Sequence, residues 1–125
     1  MLSKYNKTAV IGSRNFNNYS FLKEKLTEHK VEFVVSGGAF GADQLSERYC
    51  KEFGLPILIF YPNWNVYFKR AGFIRNKFIV ENCDELIAFR VNLSKGTTHS
   101  IELAKQMNKK VFVYDFWKNM SKYYK

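Results

Sequence analysis

Short apolar runs alternate with amphipathic stretches along all 125 residues of the chain. Thr8-Ala9-Val10-Ile11-Gly12 reads as a first strand, brief and closed by glycine. A run without polar alternation implies burial on both faces, as in a parallel sheet. A polar turn, Asn15-Phe16-Asn17-Asn18, leads into a helix over 19–29 with Phe21, Leu22 and Leu26 inward. Residues 31–36 form a second strand. The next helix spans 41–53, where Ala42, Leu45, Tyr49 and Phe53 recur at near-helical spacing. Gly54-Leu55-Pro56 stops it, a C-terminal glycine with proline just beyond.

Residues 57–61 form a third strand that Pro62 ends, and Asn63 to Phe68 is an aromatic loop without clear periodicity. A helix over 71–82 carries Ile74, Phe78, Ile79 and Cys83 on one side. A fourth strand covers 85–89, a turn-rich loop 92–98, a helix 98–108 and a fifth strand 111–114. Asp115 to Lys125 is an aromatic and basic tail, read as a docking or dimerising helix or as a loose end. The alternation predicts one α/β domain: an open parallel sheet of about five strands with helices on both faces.

In such a sheet the loops after the strands gather at the strands' C-terminal edge, where ligands bind. Four loops meet there: Gly12-Ser13-Arg14, Ser36 to Asp43, Pro62 to Tyr67, and Asn92 to Thr98. The second, Ser36-Gly37-Gly38-Ala39-Phe40-Gly41-Ala42-Asp43, passes from strand through a glycine turn into a helix. Glycines let a ligand approach the backbone, and the helix start offers unpaired N–H groups to an anion. Arg14 adds charge, Trp64 and Tyr67 add rings, and Ser94, Lys95, Gly96, Thr97 and Thr98 add hydroxyls and a cation at a second helix start. The inventory suits a ligand with phosphate, ribose and base.

Each feature also has a plain structural reading. The glycine turn serves equally well as a tight strand-to-helix connection. It is neither GxGxxG nor a P-loop. Thr97 and Thr98 are good helix caps. Asp43 suits a helix start whether or not it meets a ligand. Trp64 and Tyr67 are more often packing than stacking residues, and His29 and His99 read as surface residues.

Charge sharpens this picture. The net charge is +9. Residues 1–55 hold 8 basic and 6 acidic groups and residues 56–125 hold 12 and 5, an excess of +2 against +7. Lys69, Arg70, Arg75 and Lys77 form the densest cluster. A polyanionic partner fits this balance, as does a merely solvated basic face. No apolar run nears the roughly 20 residues that span a bilayer, and the N-terminus lacks the apolar core of a secretion signal. Cys50 and Cys83 lie among apolar neighbours and read as reduced core thiols of a cytoplasmic protein. Neither has metal-ligand spacing, so no metal site is expected.

The segments Gly12-Ser13-Arg14-Asn15-Phe16, Val35 to Asp43, Tyr61-Pro62-Asn63-Trp64, Ala71-Gly72-Phe73-Ile74-Arg75-Asn76, Asp84 to Phe89 and Ser94-Lys95-Gly96-Thr97-Thr98 cover nearly the whole chain. In order and spacing they resemble the SLOG superfamily, which groups the Smf/DprA proteins with the LOG cytokinin-activating enzymes. The small YspA-like branch of bacteria and phages looks closest. The resemblance implies a Rossmann-like fold and a site for nucleotides or nucleotide sugars of the NAD or ADP-ribose type. Members bind or process such molecules, cleave nucleoside monophosphates, or bind single-stranded DNA.

LOG enzymes use an arginine before the fourth strand and a glutamate after a PGGxGT turn. Arg75, nine positions before Asp84, resembles that arginine. The glutamate is not matched: Ser100 stands three positions after Thr97, and Glu102 lies two further on, roughly 200° around a helix. Arg75 and Asp43 are therefore the catalytic candidates if the chain is an N-glycosidase or phosphoribohydrolase. The resemblance and the loops together place a ligand site on Gly12, Ser13, Arg14, Ser36, Gly37, Gly38, Gly41, Asp43, Trp64, Tyr67, Arg75, Asn76, Ser94, Lys95, Gly96, Thr97 and Thr98. The leading expectation is a sensor or sequestering module for a nucleotide-derived small molecule. Hydrolysis of such a molecule and single-stranded DNA binding are the alternatives. A homodimer or higher oligomer is also expected, with no cofactor beyond a bound nucleotide or ADP-ribose-type ligand and no membrane partner.

Overall fold

The computed structural model describes residues 5–118. Five strands, β1 (Lys7–Gly12), β2 (Phe33–Ser36), β3 (Ile57–Ile59), β4 (Glu85–Val91) and β5 (Lys110–Phe116), form one all-parallel sheet in the order β3-β2-β1-β4-β5. The chain winds outward from β1 to β3, crosses back, and winds outward again from β4 to β5. Strand order therefore reverses between β1 and β4, which opens a crevice above their C-terminal ends.

Helices α1 (Tyr19–Glu28) and α2 (Ala42–Phe53) cover one face, and α4 (Ala71–Glu81) and α5 (Lys95–Gln106) the other. The strands alternate between these layers. Val10, Val34, Ile87 and Phe89 pack with Leu22 and Leu26 on the α1/α2 side. Ala9, Ile11, Val35, Leu86 and Ala88 pack with Ile79, Val80 and Ile101 on the α4/α5 side. This explains the unbroken apolar runs, because both strand faces are dry. Cys50 and Cys83 are buried and in no disulfide.

Several boundaries depart from the sequence reading. Lys30 has a positive φ of 55° just after α1, so Val31 belongs to the connection and β2 starts at Phe33. β3 ends at Ile59, before the expected Tyr61. The aromatic loop is in fact a helical turn, α3 (Trp64–Tyr67), followed by a 3-10 turn over Phe68–Arg70. Asn63 starts it, its side chain accepting from the N–H of Val66 at 3.2 Å. β4 continues to Val91, and α5 begins at Lys95 with Ser94 as its cap residue, so Thr97 and Thr98 sit inside the first turn. Part of the expected tail is strand: Asp115 and Phe116 pair with Arg90 and Val91. The remainder of the tail beyond Lys118 lies outside the described residues.

Helix ends follow local chemistry. The Asn18 side chain accepts from the N–H of Phe21 at 3.0 Å and starts α1. Gly54 closes α2 in the left-handed conformation (φ 65°, ψ 36°), with open space where a Cβ would stand. Gly54→Ala is therefore expected to cost only the left-handed penalty, about 1 kcal/mol, measured as a shift in urea midpoint at unchanged slope. Neither histidine is simply a surface residue. His29 is half-buried and bonds the Tyr114 hydroxyl at 2.9 Å, and half-buried His99 lies edge-on to Phe73.

Candidate functional site

The crevice at the β1/β4 reversal has two connected lobes. The inner lobe, about 340 Å³, lies between the turns after β1, β2 and β4 and is lined by Ser13, Arg14, Asn15, Asp43, Ser94, Thr97 and Ser100, among others. The outer lobe, about 580 Å³, is lined by Gly37, Gly38, Phe40, Tyr61, Trp64, Lys69 and Phe73. Arg14, Ala39, Arg75, Asn76 and Gly96 border both. A polar, cationic chamber thus opens into an aromatic one. The combined size falls in the range of small-molecule sites.

The inner wall is held by hydroxyl contacts. The Ser13 hydroxyl accepts from the N–H of Val91 at 2.8 Å and meets the Ser94 hydroxyl. Ser94 donates to Thr97 at 3.1 Å. These bonds tie the β1 turn to the start of α5. The Ser94 hydroxyl does not cap α5, and Ser94, Gly96 and Thr97 at the start of that helix line the chamber.

Arg75 projects from α4 toward the glycine turn. Its Nη1 donates to the Gly37 carbonyl, and its Nε donates to Asn76 Oδ1 at 3.0 Å. Asn76, 8% exposed, contacts His99 Nδ1 at 3.4 Å through its amide nitrogen. The guanidinium is thereby oriented from two sides. A Cβ on Gly37 would lie 2.6 Å from Arg75 Nη1, so only glycine permits this approach. Burial lowers the Arg75 pKa, the Asp43 carboxyl opposes this, and Arg14 adds to it. An arginine remains a cation regardless.

Asp43, 6% exposed, points back under the same turn and accepts from the N–H of Ala39 at 3.0 Å. Burial pushes its carboxyl from 3.8 up to about 6, against the pull of the Ala39 N–H and the Arg75 cation. It is the sole carboxylate among the residues lining either lobe. The folded state holds this proton more tightly than the unfolded chain. The contribution to stability is therefore full below about pH 4 and falls as pH rises to about 6. Asp43→Asn should abolish that fall, leaving the variant more stable than wild type at pH 7 by on the order of 1–2 kcal/mol. Parallel urea titrations at pH 4 and pH 7 check it, and equal pH dependence in both proteins would refute it.

The structure brings together Gly12, Ser13, Arg14, Gly37, Gly38, Asp43, Trp64, Arg75, Asn76, Ser94, Gly96 and Thr97 around the crevice. Five expected residues lie outside its lining. Ser36 is fully buried, on the strand face opposite Val35, and its hydroxyl has no hydrogen-bond partner among the described residues. Gly41 packs beneath the carbonyls of Ser13 and Arg14. Tyr67, on α3, is 37% exposed and lines neither lobe. Lys95, the first residue of α5, is exposed and lines neither lobe. Thr98 accepts instead from Arg90 Nη1 at 3.1 Å, on the side where Arg90 pairs with Asp115 at 2.7 Å. The sequence reading overlooked Asn15, Ala39, Phe40, Tyr61, Lys69, Phe73 and Ser100 as lining residues. Tyr61 was read as the end of the third strand; its position next to Pro62, at the same sheet edge, was the signal that could have found it.

Ser100, 2% exposed, faces the inner lobe, whereas Glu102 is exposed, lies outside both lobes and acts electrostatically on Arg90. Among the described residues no cluster of His, Cys, Asp and Glu could hold a metal ion, and no helix is long and apolar enough to cross a membrane.

No protein-family model matches the sequence. The Gene 61 protein of Mycobacterium phage D29 is 26% identical over 111 residues, spanning 80% of this chain and 89% of that protein. Among solved structures, DNA processing protein A (DprA) from Helicobacter pylori, described for its single-stranded DNA binding mode, superposes with a TM-score of 0.61 at 24% identity. The match covers 86% of this chain and 64% of the DprA chain, so this chain spans just under two thirds of that protein's length. The likeness establishes a shared Rossmann-like fold.

Proposed function

We propose that the crevice binds a nucleotide-derived small molecule, of the nucleotide, nucleotide-sugar or ADP-ribose type. The carrying observation is that Arg14 and Arg75 stand at the junction of a hydroxyl-rich inner lobe and an aromatic outer lobe. A phosphate at that junction meets two cations, and Arg75 presents its fork there. The inner lobe offers hydroxyls and backbone N–H groups to phosphate and ribose. The rings of Tyr61, Trp64 and Phe73 offer stacking to a base. Residues 1–125 act in this reading as one nucleotide-binding domain, nearest the small YspA-like SLOG branch.

Binding needs no carboxylate, and the position resembling the LOG glutamate is Ser100. That favours a sensor or sequestering role over N-glycosidic cleavage, in which Arg75 and Asp43 would be the reacting groups. Calorimetry with AMP, ADP-ribose, NAD and cyclic nucleotides tests the reading, with saturable binding of at least one expected. No heat from any of them on folded protein overturns it. Free base released from AMP or NAD, and lost in Asp43→Asn, would convert the binder into an enzyme.

A second reading takes the ligand as one unit of a single DNA strand. The fold shared with DprA and the basic excess of residues 56–125 favour it. Retention of a labelled oligonucleotide that weakens steeply with salt supports it, and salt-insensitive binding of small nucleotides alone argues against it.

A further inference from the structure

A second depression, about 770 Å³, runs along the outer face of α4 and α5. Arg70, Phe73, Ile74, Lys77, Phe78 and His99 line it. Phe73 is 47% exposed and Phe78 45% exposed, a large apolar display for a helix face. Both rings are held in place: Phe73 edge-on to His99 at 4.5 Å between centroids, and Phe78 stacked near Phe60 at 6.2 Å. Phe73 also lines the outer lobe of the crevice and so borders both depressions. Lys69 lines the crevice and Arg70 the groove.

We propose that this groove is the continuation of the crevice for a single-stranded nucleic acid. A strand with one nucleotide in the crevice would pass over Phe73 and lay its next bases against Phe73 and Phe78, with Arg70 and Lys77 on its phosphates. The inference rests on the nucleotide reading of the crevice and extends it from a monomer to a polymer. Three observations carry it. Both depressions are bordered by Phe73. The rings alternate with cations along Arg70-Phe73-Lys77-Phe78, the composition that binds bases by stacking and backbone by charge without sequence preference. The rim charge complements a polyanion, with Glu81 the sole acid lining the groove. A groove covered by another copy of the chain would have less use for two cations beside its rings.

The test measures fluorescence anisotropy of labelled oligo-dT of about 12 nucleotides, beside calorimetry with ADP-ribose and AMP. Phe78→Ala and Lys77→Glu touch the groove and not the crevice. Each is expected to weaken oligo-dT binding by about tenfold and to leave ADP-ribose and AMP binding unchanged. Lys77→Glu should also flatten the salt dependence. Lys51→Glu on α2, an equal change in net charge away from both sites, should have a clearly smaller effect. Wild-type affinity for oligo-dT in both groove variants overturns the inference, as does ADP-ribose binding with no oligo-dT binding at all. A wild-type dimer that Phe78→Ala converts to monomer also overturns it, assigning the groove to a second copy. Failure of every ligand, monomer and oligomer alike, instead removes the crevice reading on which it stands.

Discussion

Arg75→Ala is expected to weaken nucleotide binding by about a hundredfold, roughly 2.7 kcal/mol. The side chain joins three parts of the site. It presents a cation to both lobes, it holds the Gly37 carbonyl of the glycine turn, and it offsets the charge of buried Asp43. Truncation removes the fork that a phosphate would accept and leaves the turn's carbonyl without its donor. Arg75→Lys should recover only a small part, because an ammonium cannot bond Gly37, Asn76 and a phosphate together in one plane. Calorimetry with ADP-ribose reads the loss, and a thermal melt confirms folding. A folded Arg75→Ala protein with wild-type affinity would remove Arg75 from the site.

Gly41→Ala is expected to destabilise the fold by about 3 kcal/mol, roughly three times the Gly54→Ala effect. The two glycines isolate different physics. Gly54 is left-handed but faces open space. Gly41 adopts φ 81° and ψ −128°, a region essentially closed to side chains, and an added Cβ would press on the Ser13 carbonyl oxygen and lie 2.6 Å from that of Arg14. Its backbone is rigidly placed, at the start of α2, so the clash cannot be relieved by a rotamer change. The turns after β1 and β2 would be forced apart, and Arg14 would move away from Arg75. Urea denaturation of both variants, at unchanged slope, checks the ratio. Equal losses would mean that the contact under the β1 turn carries little strain. A total stability of about 5–15 kcal/mol for a domain of this kind makes the difference easy to resolve.

These two residues also show how legibility divides. The Gly41 turn was visible in the sequence as part of an anion cradle. Its role is instead to let two turns pack, since its position faces another loop's carbonyls and not the solvent-filled crevice. Arg75 was visible through its resemblance to the arginine that LOG enzymes carry before the fourth strand. Its bond to Gly37, 38 positions away, was not, because no periodicity within α4 specifies what stands opposite it.

The sequence by itself determined the alternation of elements, the burial of both strand faces and the set of loops that meet at one sheet edge. Apolar runs, glycines, prolines and cap residues are local signals, and each acts within a few positions of itself. Only the tertiary structure decided which side chains in those loops line the crevice. Ser36, the last residue of β2, is fully buried, because the sheet is covered on both faces and not only on the side of Val35. A helix turns about 100° per residue. Starting α5 at Lys95 instead of residue 98 leaves Thr97 and Ser100 on the chamber while Thr98 pairs with Arg90. The aromatic lobe was the least legible part. Tyr61, Trp64 and Phe73 stand in three different segments, the stretch after β3, α3 and α4, and only the tertiary structure brings them to one lobe.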